Sequence, residues 1–275
     1  MTNKQNMIFQ DKVVLITGAC SGIGKIMARK SLERGANKLI AVDINQSGLE
    51  LLRTEWPQYA ELIYGYRIDL SDAQQIQQIT PKIIQEVGKI DILINNAGIV
   101  AGKYFHELEH RDISAVMNVN ANAMMHLTRE ILPDMMADNN GWICNICSMA
   151  GLISNPKMSV YVASKWAAVG WSDSLRLEMQ QLNKKVVVTT IMPYFIKTGM
   201  FEGVQSKLLP IIEPEKAAEK IIRAIERERS MLTMPLPYWF VRLSQGILPL
   251  KAFDWVMRHI FGAYDTMQHF TGRKA

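Results

Sequence analysis

Short apolar runs alternate along the chain with longer stretches in which apolar residues return every three or four positions. The runs fall at residues 12–17 (KVVLIT), 38–43 (KLIAVD), 62–69 (LIYGYRID), 90–95 (IDILIN), 142–147 (WICNIC) and 186–192 (VVVTTIM). Helical patterns begin at Ile23, near Gln46 and at Asp72, occupy residues 112–137, and resume near Ser159. This rhythm predicts βαβ units and a parallel sheet. The runs are apolar almost throughout, as strands covered by helices on both faces must be. Beyond Pro193 an irregular segment leads to a charged helix from Glu215 to about Glu228 and a short strand, MLTM. No repeat, low-complexity stretch or Gly/Ser-rich linker divides the chain. The expectation is one doubly wound α/β domain over residues 1–235 with a parallel, seven-stranded sheet. Residues 236–275 form a hydrophobic helical extension packed on it. There Leu250, Phe253, Val256, Met257, Ile260, Phe261 and Tyr264 recur at helical spacing, with Lys251, Asp254 and Arg258 on the other side. That stripe can roof a pocket, pack on a partner subunit or lie on a membrane surface.

Candidate chemistry begins between the first strand and the first helix. VVLITGACSGIG places Gly18, Gly22 and Gly24 there. A backbone that turns tightly and approaches a pyrophosphate needs glycines, and the amides of the helix N-terminus supply a positive field. A tight strand-to-helix turn also accounts for a glycine cluster, but its placement favours a dinucleotide site. Asp43 ends the second strand, where a carboxylate accepts from ribose hydroxyls and repels a 2′-phosphate. NAD is therefore favoured over NADP, with Lys25 and Arg29 close enough in sequence to keep NADP as the alternative.

SVYVASK puts Tyr161 and Lys165 four apart, one helical turn from each other. A phenol titrates near pH 10, and moving it to about 7 needs roughly 4 kcal/mol of differential stabilisation. A neighbouring ammonium and a positive nicotinamide together act in that direction. A Tyr and a Lys at this spacing are common on amphipathic helices. Here Ser148 ends the fifth strand 13 residues before Tyr161, and Asn120 lies in MNVNAN.

The TGxxxGxG spacing and NNAG (Asn95 to Gly98) after the fourth strand resemble the short-chain dehydrogenase/reductase family, as do Asn120, Ser148, Tyr161 and Lys165. The resemblance implies a Rossmann domain, NAD or less favourably NADP as cofactor, and a hydrophobic alcohol or its ketone or aldehyde as substrate. It makes Tyr161 the general acid/base, with Ser148 holding the reacting oxygen. Lys165 would bind the nicotinamide ribose and lower the tyrosine pKa, and Asn120 would hold a water. Cofactor contacts are implied at Gly18, Ser21, Gly22, Ile23, Gly24, Asp43, Asp69 (at the adenine), Leu70, Asn95 (which would brace the sheet), Ala97, Gly98, Tyr161, Lys165, Pro193, Ile196 and Thr198. PYFIKTGMFEG departs from the family at Tyr194, where a Gly is common, and retains Thr198. With the hydrophobic tail it resembles the branch of epidermal retinol dehydrogenases and related 17β-hydroxysteroid dehydrogenases. An apolar lid (Met200, Phe201, Val204, Leu208, Leu209) and Leu152, Ile153 and Met158 suit a bulky apolar substrate. A homodimer or homotetramer is expected.

Rival readings are a dinucleotide-binding sensor or scaffold without chemistry and, more remotely, a zinc hydrolase using His-Glu-Leu-Glu-His at 106–110. That pattern falls before the long helix, where no helical face carries both histidines. Cys144 and Cys147 form a CxxC within an apolar strand, where positions three apart face opposite ways, so they read as packing. Cys20 reads as a small residue in a tight turn. Composition changes little: 48% hydrophobic and 21% charged is globular, and a net charge of +5 is too weak for nucleic acid. Three cysteines and a polar start lead to the expectation of a cytoplasmic protein, with peripheral membrane contact open through the tail. Residues 236–275 carry five basic and two acidic side chains, so +3 of the excess sits there.

Overall fold

The computed structural model describes residues 8–235 and 238–272. Its seven strands are β1 (Val13–Thr17), β2 (Lys38–Asp43), β3 (Ile63–Arg67), β4 (Ile92–Asn95), β5 (Gly141–Ile146), β6 (Val186–Pro193) and β7 (Met231–Met234). They form one parallel sheet in the order β3-β2-β1-β4-β5-β6-β7. The direction of winding reverses between β1 and β4, which opens a crevice at the carboxyl ends of these two strands. β3 is shorter than the apolar run that predicts it. Asp69 has left the ladder: its amide donates to Gln75 Oε1 and its Oδ1 accepts from the Ser71 amide and hydroxyl.

Nine α-helices are described: α1 (Gly22–Glu33), α2 (Gln46–Glu55), α3 (Ala73–Val87), α4 (His110–Met117), α5 (Ala123–Ala137), α6 (Ser159–Gln181), α7 (Pro214–Glu226), α8 (Tyr238–Ile247) and α9 (Leu250–Trp255). Asp72 caps α3 by accepting from the amides of Gln74 and Gln75, and Asn45 caps α2 through Gly48. Alternate residues of each strand feed two cores. Val14, Ile16, Leu39, Ile92 and Ile94 pack under α1, α2 and α7. Leu15, Ile40, Leu93, Ile143 and Val188 pack under α3, α5 and α6. Cys144 and Cys147 fall in different cores, on opposite sides of the sheet.

The expected long helix starts at His110, two residues early, because Glu109 and Asp112 form a capping box. It is interrupted by a π-helical turn at Asn118–Asn122. In the tail, α8 precedes the expected helix, and α9 gives way to a second π turn, Val256–Ile260. The extra residue per turn rotates the stripe. Ile260, at the end of that turn, is exposed, and so is Leu250 at the start of α9, both expected to pack with the rest. Tyr264 lies in a separate turn, its hydroxyl donating to Asp254.

α7 is docked on α1 by charge as well as by Ala217, Ile221 and Ala224. Arg34 bonds Glu226 at 2.6 Å and Glu219 at 2.8 Å, Lys30 reaches Glu219 at 3.1 Å, and Arg29 reaches Glu215 at 2.8 Å. Partial burial raises the Glu219 carboxyl pKa, but Lys30, Arg223 and Arg34 outweigh it and hold the group below its ordinary value of 4.5. Between those two values the unfolded chain binds more protons than the native one. The stabilisation is therefore complete above about pH 4.5 and disappears as pH falls through the native pKa. Glu219→Gln is expected to cost about 1 kcal/mol at pH 7 and to flatten the acid limb of stability in urea titrations. An unchanged acid limb would contradict this role.

Candidate active site

The crevice is built where β1, β4, β5 and β6 end. Gly18 follows β1 with φ +66° and Gly22 opens α1 with φ +55°, left-handed conformations that glycine adopts without strain. A Cβ on Gly24 would overlap the Gly18 carbonyl oxygen and Asn96 Nδ2, so the loop closes only around glycine. The first turn of α1 has no acidic residue. Its unpaired amides therefore present a positive end that fits a pyrophosphate.

A second tie holds this loop against β4. Thr17 Oγ1 accepts from the amides of Asn96 (2.9 Å) and Ala97 (3.0 Å), and Asn96 Nδ2 donates to Thr17 O (2.8 Å). Neither Thr17 nor Asn96 was singled out in the sequence reading. Thr17 is the Thr of the TGxxxGxG spacing and Asn96 the second Asn of NNAG, but they lie 79 residues apart, so neither motif shows that the two pair. Asp43 is fixed in the same way, Oδ2 accepting from Cys20 N at 2.9 Å and Oδ1 from Asn45 N at 3.0 Å. Lys25 is paired with Glu55 at 2.5 Å, and Arg29 with Glu33 and Glu215. The two cations near Asp43 in sequence are thus already spent on carboxylates. Burial and Asp43 push the Cys20 thiol up to about 12, so it is un-ionised packing.

Behind the crevice runs a chain of buried polar groups. Asn95 Nδ2 donates to Thr128 Oγ1 and to Asn145 Oδ1 (2.8 Å), Asn145 Nδ2 to Ser172 Oγ (2.9 Å), and Ser172 meets Thr190 at 2.7 Å. It joins β4, β5 and β6 to α5 and α6. The π turn aims Asn120 at the loop after β4: Oδ1 accepts from Ile99 N (2.8 Å), and Nδ2 donates to Ile99 O (2.9 Å) and Ser164 Oγ (3.1 Å). Both amide hydrogens are committed, which leaves one Oδ1 lone pair for a water.

Tyr161 and Lys165 stand on α6, with Lys165 Nζ 5.7 Å from the phenol ring centroid. Lys165 is 3% exposed and its ammonium donates to Ile146 O at 3.0 Å. A Cβ on Gly98 would press on Asn120 Oδ1 and come into ordinary contact with Lys165. Ser148 caps a short turn, its Oγ accepting from Ala150 N at 3.1 Å, and lies at the end of β5 beside Pro193. Burial pushes the Tyr161 hydroxyl up to about 12, although a hydrogen bond from Ser148 acts in the other direction. Among the protein's own groups desolvation dominates, and the Lys165 ammonium is directed at Ile146 O; the expected lowering has Lys165 act together with a positive nicotinamide. Burial also lowers the Lys165 pKa and raises that of Cys147, which lies beside it, to about 12.

These groups face one cavity of about 310 Å³. Of the expected site residues Gly18, Ser21, Gly22, Ile23, Gly24, Ala97, Gly98, Ser148, Tyr161, Lys165, Pro193, Ile196 and Thr198 line it; Asp43, Asp69, Leu70, Asn95 and Asn120 do not. Asn95 and Asn120 are buried behind it, and Asp43 is bonded to the glycine loop that forms its edge. The expected apolar walls are present in part: Ile153, Met158, Met200, Phe201 and Leu209 line the cavity, whereas Leu152 and Val204 are buried in the core and Leu208 is exposed. The tail supplies the roof through Phe240, Val241, Leu248, Phe253, Val256, Met257 and Phe261. Phe201 packs edge-on against Tyr161 at 5.8 Å. His106 and His110 sit in separate elements, and Glu107 is occupied by the Tyr104 amide at 2.8 Å, so 106–110 offers no shared helical face.

The family model for short chain dehydrogenases matches residues 12–209. The chain belongs to the short-chain dehydrogenase family. Epidermal retinol dehydrogenase 2 of Mus musculus is 37% identical over 268 residues, which is 96% of this chain and 86% of that protein. Estradiol 17-beta-dehydrogenase 11 of Macaca fascicularis is 32% identical over 257 residues, covering 93% and 85%. A crystal structure of a short-chain dehydrogenase/reductase from Burkholderia phymatum in complex with NAD superposes with a TM-score of 0.77 at 27% identity, covering 86% of this chain and 94% of that one. As a short-chain dehydrogenase the protein is an alcohol-type oxidoreductase that works with a nicotinamide dinucleotide. The glycine cradle and the acid-free start of α1 fit that group. Gly24→Ala is expected to weaken NADH binding about tenfold or more, in line with the close backbone approach this turn requires. Fluorescence titration measures this, and unaltered affinity would contradict the packing of Gly24 on Gly18.

Proposed function

We propose that this short-chain dehydrogenase interconverts a lipophilic alcohol and its ketone or aldehyde, using NAD in preference to NADP. The observation that carries the reading is the placement of Tyr161, Ser148 and Lys165 on one apolar cavity that runs into the glycine loop. A cavity of about 310 Å³ walled by Phe201, Met158, Phe253 and Met257 favours a bulky apolar skeleton. The names of the relatives, a retinol and an estradiol dehydrogenase, support the same class.

The dinucleotide supplies or accepts the hydride. This chain's residues manage the proton and the oxygen. With its pKa near 12 the Tyr161 phenol is protonated at neutral pH, which suits the reducing direction: it donates its proton to the carbonyl oxygen while Ser148 Oγ holds that oxygen. In the oxidising direction the phenol must first lose its proton, and the Lys165 charge on the same helix face favours that state. Asn120 acts through Ile99 and Ser164, fixing the loop of Ala97 and Gly98 against α6, and is a positioning residue. Asp43, oriented by Cys20 N, would accept from the ribose hydroxyls of a bound NAD, and Lys25 and Arg29, which could draw a 2′-phosphate, are paired with carboxylates.

Turnover of a graded series of apolar alcohols with NAD and with NADP tests the reading. NAD is expected to give the higher kcat/KM. Tyr161→Phe is expected to lose turnover by about a hundredfold or more while NADH still binds. Retained turnover in that variant would overturn the role of Tyr161, and a preference for NADP would overturn that of Asp43.

A further inference from the structure

One wall of the cavity carries an acceptor for which the protein supplies no donor. Asn155 lies in the loop between the Ser148 turn and α6, and it lines the cavity. Its Oδ1 is buried and has no hydrogen-bond partner among the described residues. The orientation of the amide is set by its neighbour. Thr266 Oγ1 donates its single hydrogen to the Ala263 carbonyl at 3.0 Å, so toward Asn155 it only accepts, and Asn155 Nδ2 donates to it at 2.8 Å. Rotating the amide would set one acceptor against another. Of the buried side-chain atoms without a partner, Asn155 Oδ1 is the one whose residue lines the cavity.

This acceptor is held still. Thr266 is 1% exposed, and its carbonyl accepts from Gln205 N of the lid at 3.2 Å. The loop of Asn155 is tied to the tail a second time where Gln245 Nε2 donates to the Leu152 carbonyl. Two hydroxyls that also line the cavity are already committed. Ser244 Oγ donates to Val241 O, and Tyr194 OH meets Ser206 Oγ, whose hydrogen goes to Leu209 O. The walls are otherwise largely apolar, with Ile153, Met158, Phe253, Met257 and Phe261 among them. An unmet acceptor in such surroundings bears the full cost of its lost hydration. A ligand that brings it a donor removes that cost, and a few fixed polar groups in an apolar pocket are what orient a ligand there.

We infer that Asn155 is a specificity-determining residue whose Oδ1 accepts from a second hydroxyl on the substrate, distinct from the one that reacts at Tyr161. The substrate class narrows from a lipophilic alcohol to one that carries a further O–H, with a hydroxy-ketone or hydroxy-aldehyde on the oxidised side. An ammonium would also donate, but it would enter a cavity that already holds the Lys165 cation and has no carboxylate among its lining residues. A neutral hydroxyl is the donor that fits. A substrate without it leaves Oδ1 unpaired and is selected against. The reacting end rests on the lipophilic-alcohol reading above, while the hold on the second hydroxyl stands on Asn155 alone.

The test uses α,ω-diols of graded chain length and their monomethyl ethers, which keep one reacting alcohol but cannot donate at the other end. Two quantities are measured on the full chain: kcat/KM with NAD, and affinity for the NADH-loaded enzyme by calorimetry. At the length that spans Tyr161 and Asn155 the diol is expected to exceed its ether about tenfold in both, beyond the statistical advantage of two equivalent ends. In Asn155→Leu the ratio is expected to fall to that statistical value at every length. Asn155→Asp, which keeps an acceptor oxygen, is expected to retain most of the preference. A variant that only loosened the loop would slow diol and ether alike and leave their ratio at the wild-type value, which would overturn the proposal. So would wild-type enzyme with no preference for the diol at any length. If no alcohol turns over, yet the diol binds more tightly to wild type than to Asn155→Leu, the second-hydroxyl site stands and the activity reading falls instead.

Discussion

The rest of the active site depends on one costly placement, the burial of the Lys165 ammonium. It is 3% exposed, and among the described residues it bonds the Ile146 carbonyl at 3.0 Å and pairs with no carboxylate. Taking a cation out of water costs several kcal/mol even after relaxation. Burial accordingly lowers its pKa. The unfolded chain then binds more protons between the lowered and the ordinary lysine values, so this group destabilises the native state below that window and less so as pH rises through it. Under the proposed function the charge serves the proton chemistry at Tyr161, and the cost is met by stability elsewhere.

That stability comes from features surrounding the site. The buried run from Thr128 through Asn95, Asn145 and Ser172 to Thr190 fixes β4, β5 and β6 to α5 and α6 with nearly every polar atom paired. Thr17 and Asn96 lock the glycine loop to the loop after β4, and Asn120 locks that loop to α6. The dinucleotide cradle and the Tyr161 helix are therefore held by one continuous hydrogen-bonded frame. Small displacements of reacting groups are expensive in catalysis, and such a frame limits them.

What the sequence made legible was local. The strand runs, the glycines at Gly18, Gly22 and Gly24, and the Tyr161–Lys165 spacing each declare themselves within a dozen residues, and a parallel, doubly wound sheet follows from the alternation of strands and helices. Features that depend on distant partners were hidden. Asn96 and Thr17 are 79 positions apart, and the π turn that redirects Asn120 leaves no mark on hydrophobic periodicity. The second π turn misled the reading of the tail in the same way, turning Ile260 outward. α8 lies outside the expected stripe, which begins at Leu250.

The tail completes the site, since it roofs the cavity and, through Thr266, holds Asn155 in place. The central claim still concerns Lys165: its charge is kept at the expense of stability for the sake of the proton chemistry at Tyr161. Comparing Lys165→Met with wild type for both Tm and turnover tests that claim most directly. The account predicts a Tm equal to or above wild type, because an apolar side chain of similar length replaces a buried cation. It also predicts turnover lower by about a hundredfold or more. A variant that loses thermal stability yet keeps its turnover would contradict it.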